Sequence, residues 1–455
     1  MKRLFKIPED FPFSGKYILL FMLPIIFEQF LVSSLSIADT FMVSMLPDSK
    51  TALAGIANVS RIDLLFKQIF VALAAGGGIF VAQYLGAKQR EDANRALKHG
   101  VYSMFAIATI LAIIMEIFKV PLLKLLFGEV EEQVMQQSIT YYSITIISYP
   151  FMALFNAGTA SFRSMGKSKA TFVASIAMMA INLVLKYVFL FPLNMGVLGA
   201  GLSLLIAYAV VGVVMIVMLL SPKNPAYIDK PFDVRMNFNL LGRMYGVALP
   251  TGIENGLFQL GALILQTLVA TLGTAAINAN HLTNNLTAVT LSVATGFSLT
   301  AMPIVGQCMG AKRPDMAEFY IRYFVRVGHI VLAPVALFAI LVAPYLVSLF
   351  GYDEQTSRMA VECLAVYYGA TLLVYPEGFG LTYALRGTGD TKFTMLVSAS
   401  TMFLFRIGFA YVLEGIFHLG IISIWIAMLC DWFIRGIIYA QRFRGGKWKE
   451  HNLIH

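Results

Sequence analysis

Ionisable side chains set inside long apolar segments are the residues of this sequence that could do chemistry. The apolar segment 17–46 carries Glu28, Ser36 and Asp39. At helical spacing Glu28 and Asp39 lie about 20° apart on one face and about 16 Å apart along it. A charge within a lipid-spanning helix costs about 2.5–3.5 kcal/mol on insertion scales, so each such group needs a partner, water or a task. The stripe fits a site for a cation or proton, and it also fits two buried carboxylates that only tie helices together. Segment 52–85 holds Arg61, Asp63 and Lys67. Asp63 and Lys67 are four apart and can pair, while Arg61 can snorkel to the outer surface. Asn182 and Lys186 share a face in the same way. In "LPTGIENGLFQLG" (249–261), Pro250 frees a carbonyl and Gly252, Gly256 and Gly261 permit close helix approach. Glu254, with Asn255 and Gln259 nearby, therefore sits where a carboxylate can hold a cation or a proton. Glu28 follows Pro24 by the same four residues. His281, Asn284, Asn285, Arg406 and Glu377, the last directly after Pro376, complete the groups expected to line a cavity or an ion path. Asp431 and Arg435, four apart near the inner surface, read as a structural pair.

The elements that must position these groups are membrane helices. Of 455 residues 58% are hydrophobic and 13% charged, too few charges to cover a soluble protein of this length. Twelve apolar spans lie between 17 and 441, each near or above the ~20 residues needed to cross a bilayer. With both termini in the cytoplasm, the inner segments collect Lys16, Lys88, Arg90, Arg163, Lys167, Lys223, Arg243, Lys312, Arg313, Arg386, Lys392, Arg442, Arg444 and others. The outer ones hold only Lys50, Lys119, Lys124 and Arg358. That asymmetry follows the positive-inside rule and accounts for the formal charge of +9 without a nucleic-acid partner. The basic "MKRLFK" start precedes a run too long for a signal peptide, with no small-residue cleavage site before Asp39, and is read as leading into a retained first span. Cys308, Cys363 and Cys430 lie in apolar runs and read as small buried hydrophobes rather than a disulfide or metal set.

The chain repeats itself. "VAQYLGAK" at 81–88 returns as "VGQCMGAK" at 305–312, Leu23-Pro24 with Glu28 returns as Leu249-Pro250 with Glu254, "FRSMGKSK" (162–169) as "LRGTGDTK" (385–392), and Gly196 as Gly420. Four landmarks in one order indicate duplication. Six spans per copy return the chain to its starting side, so the copies share one orientation about a pseudo-two-fold along the membrane normal. The expected division is 1–221 and 242–455 as six-helix bundles, with a Pro-rich cytoplasmic linker at 222–241 and a cleft between the bundles suited to alternating access. Gly86 and Gly310 are expected as helix C-caps turning left-handed, with Lys88 and Lys312 at the headgroups. "MGKS" (165–168) has Ser161 where a phosphate-binding loop needs glycine, and no HExxH or Gly-x-Ser-x-Gly occurs. Neither an enzyme nor direct use of ATP is expected.

The two LP dipeptides, "ADTFMVS" (38–44), "AQYLGAK", "GQCMGAK", "LRGTGD" (385–390) and "RFRGGKW" (442–448) together resemble the multidrug and toxic compound extrusion (MATE) transporters over nearly the whole chain. The resemblance implies an all-α membrane protein with two six-helix bundles forming a V. It also implies export of cationic or amphipathic compounds driven by inward Na+ or H+. No cofactor is expected beyond that ion, and the setting is a monomer in a prokaryotic plasma membrane. The resemblance places a coupling carboxylate at Asp39 and often an Asn–Asp pair on span five. Here Asn182 is present but Lys186 holds the second place, so Lys186 is expected to pair with Asp39 and replace a bound cation. Glu254 and Glu377 fall near the acids of the second half. Glu254 is the preferred coupling residue, with Na+ possible at Glu254 or Asp39. Basic residues at Arg61, Lys67, Lys186 and Arg406 keep a second reading open, a flippase of lipid-linked or anionic amphiphiles. A non-transporting receptor or scaffold would not need so many intramembrane charges.

Overall fold

Helices follow one another along the chain, with no strand among the described residues. The computed structural model describes residues 7–8, 10–46, 49–128, 130–233, 235–451 and 453–454. Lys2, Arg3 and Lys6 and the side chain of Ser36 lie outside that description. The helices are α1 Gly15–Ser44, α2 Ser49–Gly86, α3 Arg90–Phe127, α4 Glu132–Ser164, α5 Ser168–Leu190 and α6 Gly196–Leu219, then α7 Phe238–Thr271, α8 Thr274–Gly310, α9 Pro314–Ser348, α10 Glu354–Thr388, α11 Thr391–Phe417 and α12 Ile422–Gly445. All twelve are long and apolar enough to cross a membrane. Even α5, with 23 residues, reaches about 35 Å against a hydrocarbon core of about 30 Å. Two helices contain a π-helical turn, Pro376–Gly380 in α10 and Met402–Gly408 in α11.

The duplication is written into the backbone. Left-handed residues occur in matched pairs: Lys88 (φ 60°) and Lys312 (φ 56°), Gly166 (75°) and Gly389 (101°), Asn194 (50°) and His418 (51°), Gly196 (55°) and Gly420 (64°). The first pair corrects the expectation for Gly86 and Gly310. Both glycines are the last residues of their helices, and it is the lysine two places on that turns left-handed. The Gln89 N–H donates to the Tyr84 carbonyl at 2.9 Å and the Arg313 N–H to the Cys308 carbonyl at 3.1 Å. These six-to-one bonds satisfy terminal carbonyls and offset the left-handed conformation, about 1–2 kcal/mol for a residue with a Cβ.

By packing, the chain forms two units, Phe30–Gly252 and Met1–Gln29 with Ile253–His455. Helices α1 and α7 each contribute to both, and each carries a proline, Pro24 and Pro250, shortly before it passes from one to the other. In the Phe30–Gly252 unit α4 is central, packed against α2, α3 and α6. Ser164 Oγ donates to the Gly78 carbonyl at 2.7 Å. A Cβ on Gly76 would stand 2.4 Å from the Ala248 Cβ, so glycine is required for that approach. The 220–237 connector is tied down rather than free. Arg90 donates to the carbonyls of Pro222, Asn224 and Pro225, Lys167 to the Asn224 side chain, and Tyr102 to the Pro231 carbonyl. In the other unit α8 packs on α9 and α10, and α10 on α12. One apolar core gathers Tyr367, Tyr375, Trp425 and Trp432. A second joins Phe13, Phe21 and Ile25 to Phe297, Tyr320 and Phe324. The Tyr320 hydroxyl there accepts from the Phe13 N–H and donates to the Phe13 carbonyl, both at 2.9 Å.

Candidate functional site

Three helices of the Phe30–Gly252 unit meet at Asp39. Asn182 and Lys186, one turn apart on α5, present both side chains to it. Lys186 Nζ lies 2.5 Å from Asp39 Oδ1, and Asn182 Nδ2 donates to the same oxygen at 3.0 Å. Ser203 on α6 donates to Asn182 Oδ1 at 3.1 Å and so fixes the amide orientation. Asn182, Lys186 and Ser203 are buried, while Asp39 keeps 28% of its side chain exposed. The expected pairing of Lys186 with Asp39 is present. An ammonium on a buried stem stands where a mobile cation would meet the carboxylate.

Asp63 does not take Lys67 as its partner, although the two are four apart on α2. Tyr149 on α4 donates to Asp63 Oδ1 at 2.7 Å, and Thr145 lies at 3.4 Å. The i,i+4 spacing only permits a contact, and the tyrosine hydroxyl from the next helix competes for it. Lys67 is left half-buried with no ion pair among the described residues, and Arg61 is exposed.

In the other unit Glu254 on α7 meets Arg386 on α10, with Nη2 2.6 Å from Oε2 and both side chains buried. The guanidinium also lies 5.2 Å from the centre of the Tyr383 ring. Arg386 was expected in an inner loop as one of the orienting charges. It lies instead within the last turns of α10, because the helix runs on to Thr388 and Gly389 makes the turn. Glu377 sits in the π turn of α10, where Pro376 can give no N–H to the helix. Its oxygens lie 2.9 and 3.0 Å from His329 Nε2 on α9, and His329 Nδ1 faces the Leu372 carbonyl at 3.3 Å. π turns recur at functional sites, and this one aims the carboxylate at the histidine. Asp431 and Arg435 pair as expected, at 2.9 Å and fully buried, with Arg406 3.8 Å away. Arg406 also lies over the Phe258 ring at 5.0 Å.

The remaining candidates are dispersed. Glu28 is buried, Asn255 and Gln259 are half-buried, and His281, Asn284 and Asn285 are exposed. Asn285 and His281 are 3.2 Å apart, and Asn284 donates to its own helix at Asn280. Four partners escaped the sequence reading: Ser203, Tyr149, His329 and Arg386. His329 was detectable as a histidine inside an apolar run, and Arg386 as part of a repeated phrase. Nothing local marked Tyr149 or Ser203.

The MatE family model matches residues 24–188 and again 250–412. The chain belongs to this family. One MatE match therefore contains Glu28, Asp39, Asn182 and Lys186, and the other Glu254, His329, Glu377, Arg386 and Arg406. The chain is 24% identical to the multidrug export protein MepA of Staphylococcus haemolyticus, covering 93% of each. It is 21% identical to the probable multidrug resistance protein NorM of Thermotoga maritima, over 98% of this chain and 96% of that one. An uncharacterized transporter, YisQ of Bacillus subtilis, is 24% identical over 98% and 97%. The fold matches an outward-facing multidrug resistance MATE transporter with a TM-score of 0.85, covering 94% and 96% of the two chains at 18% identity. A MOP superfamily transporter from Pyrococcus furiosus, described as having a binding pocket of reverse polarity, matches with a TM-score of 0.82 at 20% identity, over 94% and 95%. The protein is thus a twelve-span MATE membrane transporter.

Proposed function

We propose that this MATE protein exports amphipathic or cationic compounds by alternating access, in exchange for inward Na+ or H+, and that the coupling ion competes with side-chain cations of the protein itself. The observation that carries the reading is Lys186 Nζ at 2.5 Å from Asp39, with Asn182 completing the contact. Glu254 with Arg386 is a second buried carboxylate–cation pair, at positions that match Glu28 and Arg163 rather than Asp39 and Lys186. A carboxylate bound to a tethered cation is neutral overall. When a proton or Na+ takes the carboxylate, the lysine or arginine is released, and a charge is created in a low-dielectric setting that favours a different conformation. The names of the similar MepA and NorM proteins support a drug substrate. The asymmetry of basic residues supports cytoplasmic termini, and the sources of the similar MepA and NorM proteins support a prokaryotic plasma membrane, where the chain acts as a monomer in this proposal.

Reconstituted protein loaded with a fluorescent cationic dye tests the proposal under imposed Na+ or H+ gradients. Gradient-driven flux is expected for the wild type and its loss in Glu254→Gln and Asp39→Asn, with both variants still folded and monodisperse by size-exclusion chromatography although less stable, since each leaves a buried cation unpaired. Wild-type flux in both variants would reject these acids as coupling residues. A second reading, movement of an anionic amphiphile, is supported by Lys67, which is half-buried and has no ion-pair partner among the described residues. An anionic dye in the same vesicles decides between them.

A further inference from the structure

The outward face of α9 is apolar for most of its length and then changes character. Ile330, Leu337, Leu341 and Tyr345 are between 51% and 80% exposed. One and two turns before Ile330, on the same face, stand Arg326 and Arg322, both exposed. Helix α12 repeats the pattern with Phe433 and Ile437 exposed and Arg444 two turns further on. From Arg326 to the end of α9 at Ser348 is about 33 Å, close to the hydrocarbon thickness of a bilayer. The three guanidiniums therefore stand at one edge of the apolar band, at headgroup depth.

Between α9 and α12 lies a cavity of about 290 Å³. Its floor is the π turn of α10, which contributes Glu377, with Leu381 beside it. Val325 and Ala440 face into it from the two helices, and all three arginines border it. The charges do not balance. Arg322 pairs with Glu318 at 2.6 Å, but Glu318 also holds Lys449 at 2.5 Å. Arg326 and Arg444 have no carboxylate partner among the described residues, and Glu377 is engaged by His329. A groove with apolar walls, open to the lipid-facing surface and bordered by unneutralised guanidiniums, is complementary to a phosphate ester carrying acyl chains.

We propose that this groove binds the headgroup of an acidic phospholipid, its phosphate between Arg322, Arg326 and Arg444 and an acyl chain along the exposed face of α9. Arginine suits the role because its planar fork meets phosphate oxygens in pairs and does not lose its charge. The site does not depend on what the protein transports.

Native mass spectrometry of the full chain, released from detergent containing equal phosphatidylglycerol and phosphatidylcholine of the same chain length, tests this. The wild type is expected to retain phosphatidylglycerol in preference. Arg326→Gln with Arg444→Gln is expected to lower that retention on the order of tenfold. The Lys pair at the same positions should restore part of it. Lys169→Gln with Lys392→Gln, which removes two exposed basic groups elsewhere, should leave it unchanged. Equal retention of phosphatidylcholine, an unaffected arginine double variant, or an equal loss in the Lys169/Lys392 control would each overturn the proposal. Displacement of the lipid by millimolar inorganic phosphate alone would also overturn it, because the site would then recognise free phosphate rather than a lipid.

Discussion

An amine on a buried four-carbon stem is a cation that cannot diffuse away, and Lys186 places one against Asp39. Removing one member of such a pair leaves an uncompensated charge, whereas removing both leaves a neutral cavity. Lys186→Met is therefore expected to destabilise the protein by about 2–4 kcal/mol, toward the lower figure because Asp39 is partly exposed. Asp39→Asn with Lys186→Met should recover most of that loss, as read by thermal unfolding in detergent. A double variant no more stable than the single one would mean that the pair is not coupled. Asp390 behaves differently, since it lies in the turn between α10 and α11, outside the spans. Burial alone would raise its pKa, but His451, with Nε2 3.1 Å away, and Arg442 at 2.8 Å outweigh burial and hold it below the ordinary carboxylate value. A depressed folded-state pKa means stability that is present above about pH 4 and is lost as pH falls through the lower folded value. Asp390→Asn is expected to flatten that acid limb of the melting-temperature profile. An unchanged slope would show that the acid loss arises elsewhere. Asp39, Glu254 and Glu377 could all be picked out in the sequence, because an acid inside an apolar run announces itself. Their partners could not, because Lys186, Arg386 and His329 lie on other helices, as far as 147 positions away.

At the scale of the element, close approach depends on a few glycines. Gly76 on α2 faces Ala248 on α7, and Gly296 on α8 faces Ile26 on α1, with a hypothetical Cβ at 2.4 and 2.7 Å from the nearest atoms. In the other copy the positions that match Gly296 and Ile26 are Ala72 and Gly252, and a Cβ on Gly252 would lie 3.6 Å from the Ala72 Cβ, so duplication preserved the approach of the two helices while the glycine changed sides. Gly256 has open space around the same hypothetical atom. Gly76→Ala is expected to destabilise by about 1–3 kcal/mol through overpacking. Gly256→Ala should be neutral or stabilising by up to about 1 kcal/mol, through the better helix propensity of alanine. Melting temperatures of the two variants moving together would argue against close packing as the cause. The helical periodicity that locates each span carries no information on which glycine meets a backbone and which meets empty space. That depends on the neighbouring helix.

At the scale of the whole molecule, the covalent repeat and the packing units are cut at different places. The copies join in the connector after α6, yet Met1–Gln29 packs in one unit with Ile253–His455, and 238–252 packs in the other. Phe232 in the connector is 94% exposed. A protease site introduced there should be cleaved readily, and the two fragments should stay together in mild detergent, because each supplies a half-helix to the other's unit. Separation without denaturant would contradict that exchange.

Hydropathy, basic-residue asymmetry and the recurrence of short phrases were enough to establish twelve spans, a duplication and the family resemblance. These signals are local or periodic, and lipid imposes them on every span regardless of its neighbours. The fate of each intramembrane acid was set by contacts between helices. Asp431 met Arg435 on its own helix as spacing alone suggested, whereas Asp63 passed over Lys67 for Tyr149, and Glu254 found Arg386 on α10. A buried charge takes whichever partner the packing brings within hydrogen-bond reach, and sequence distance does not enter that choice.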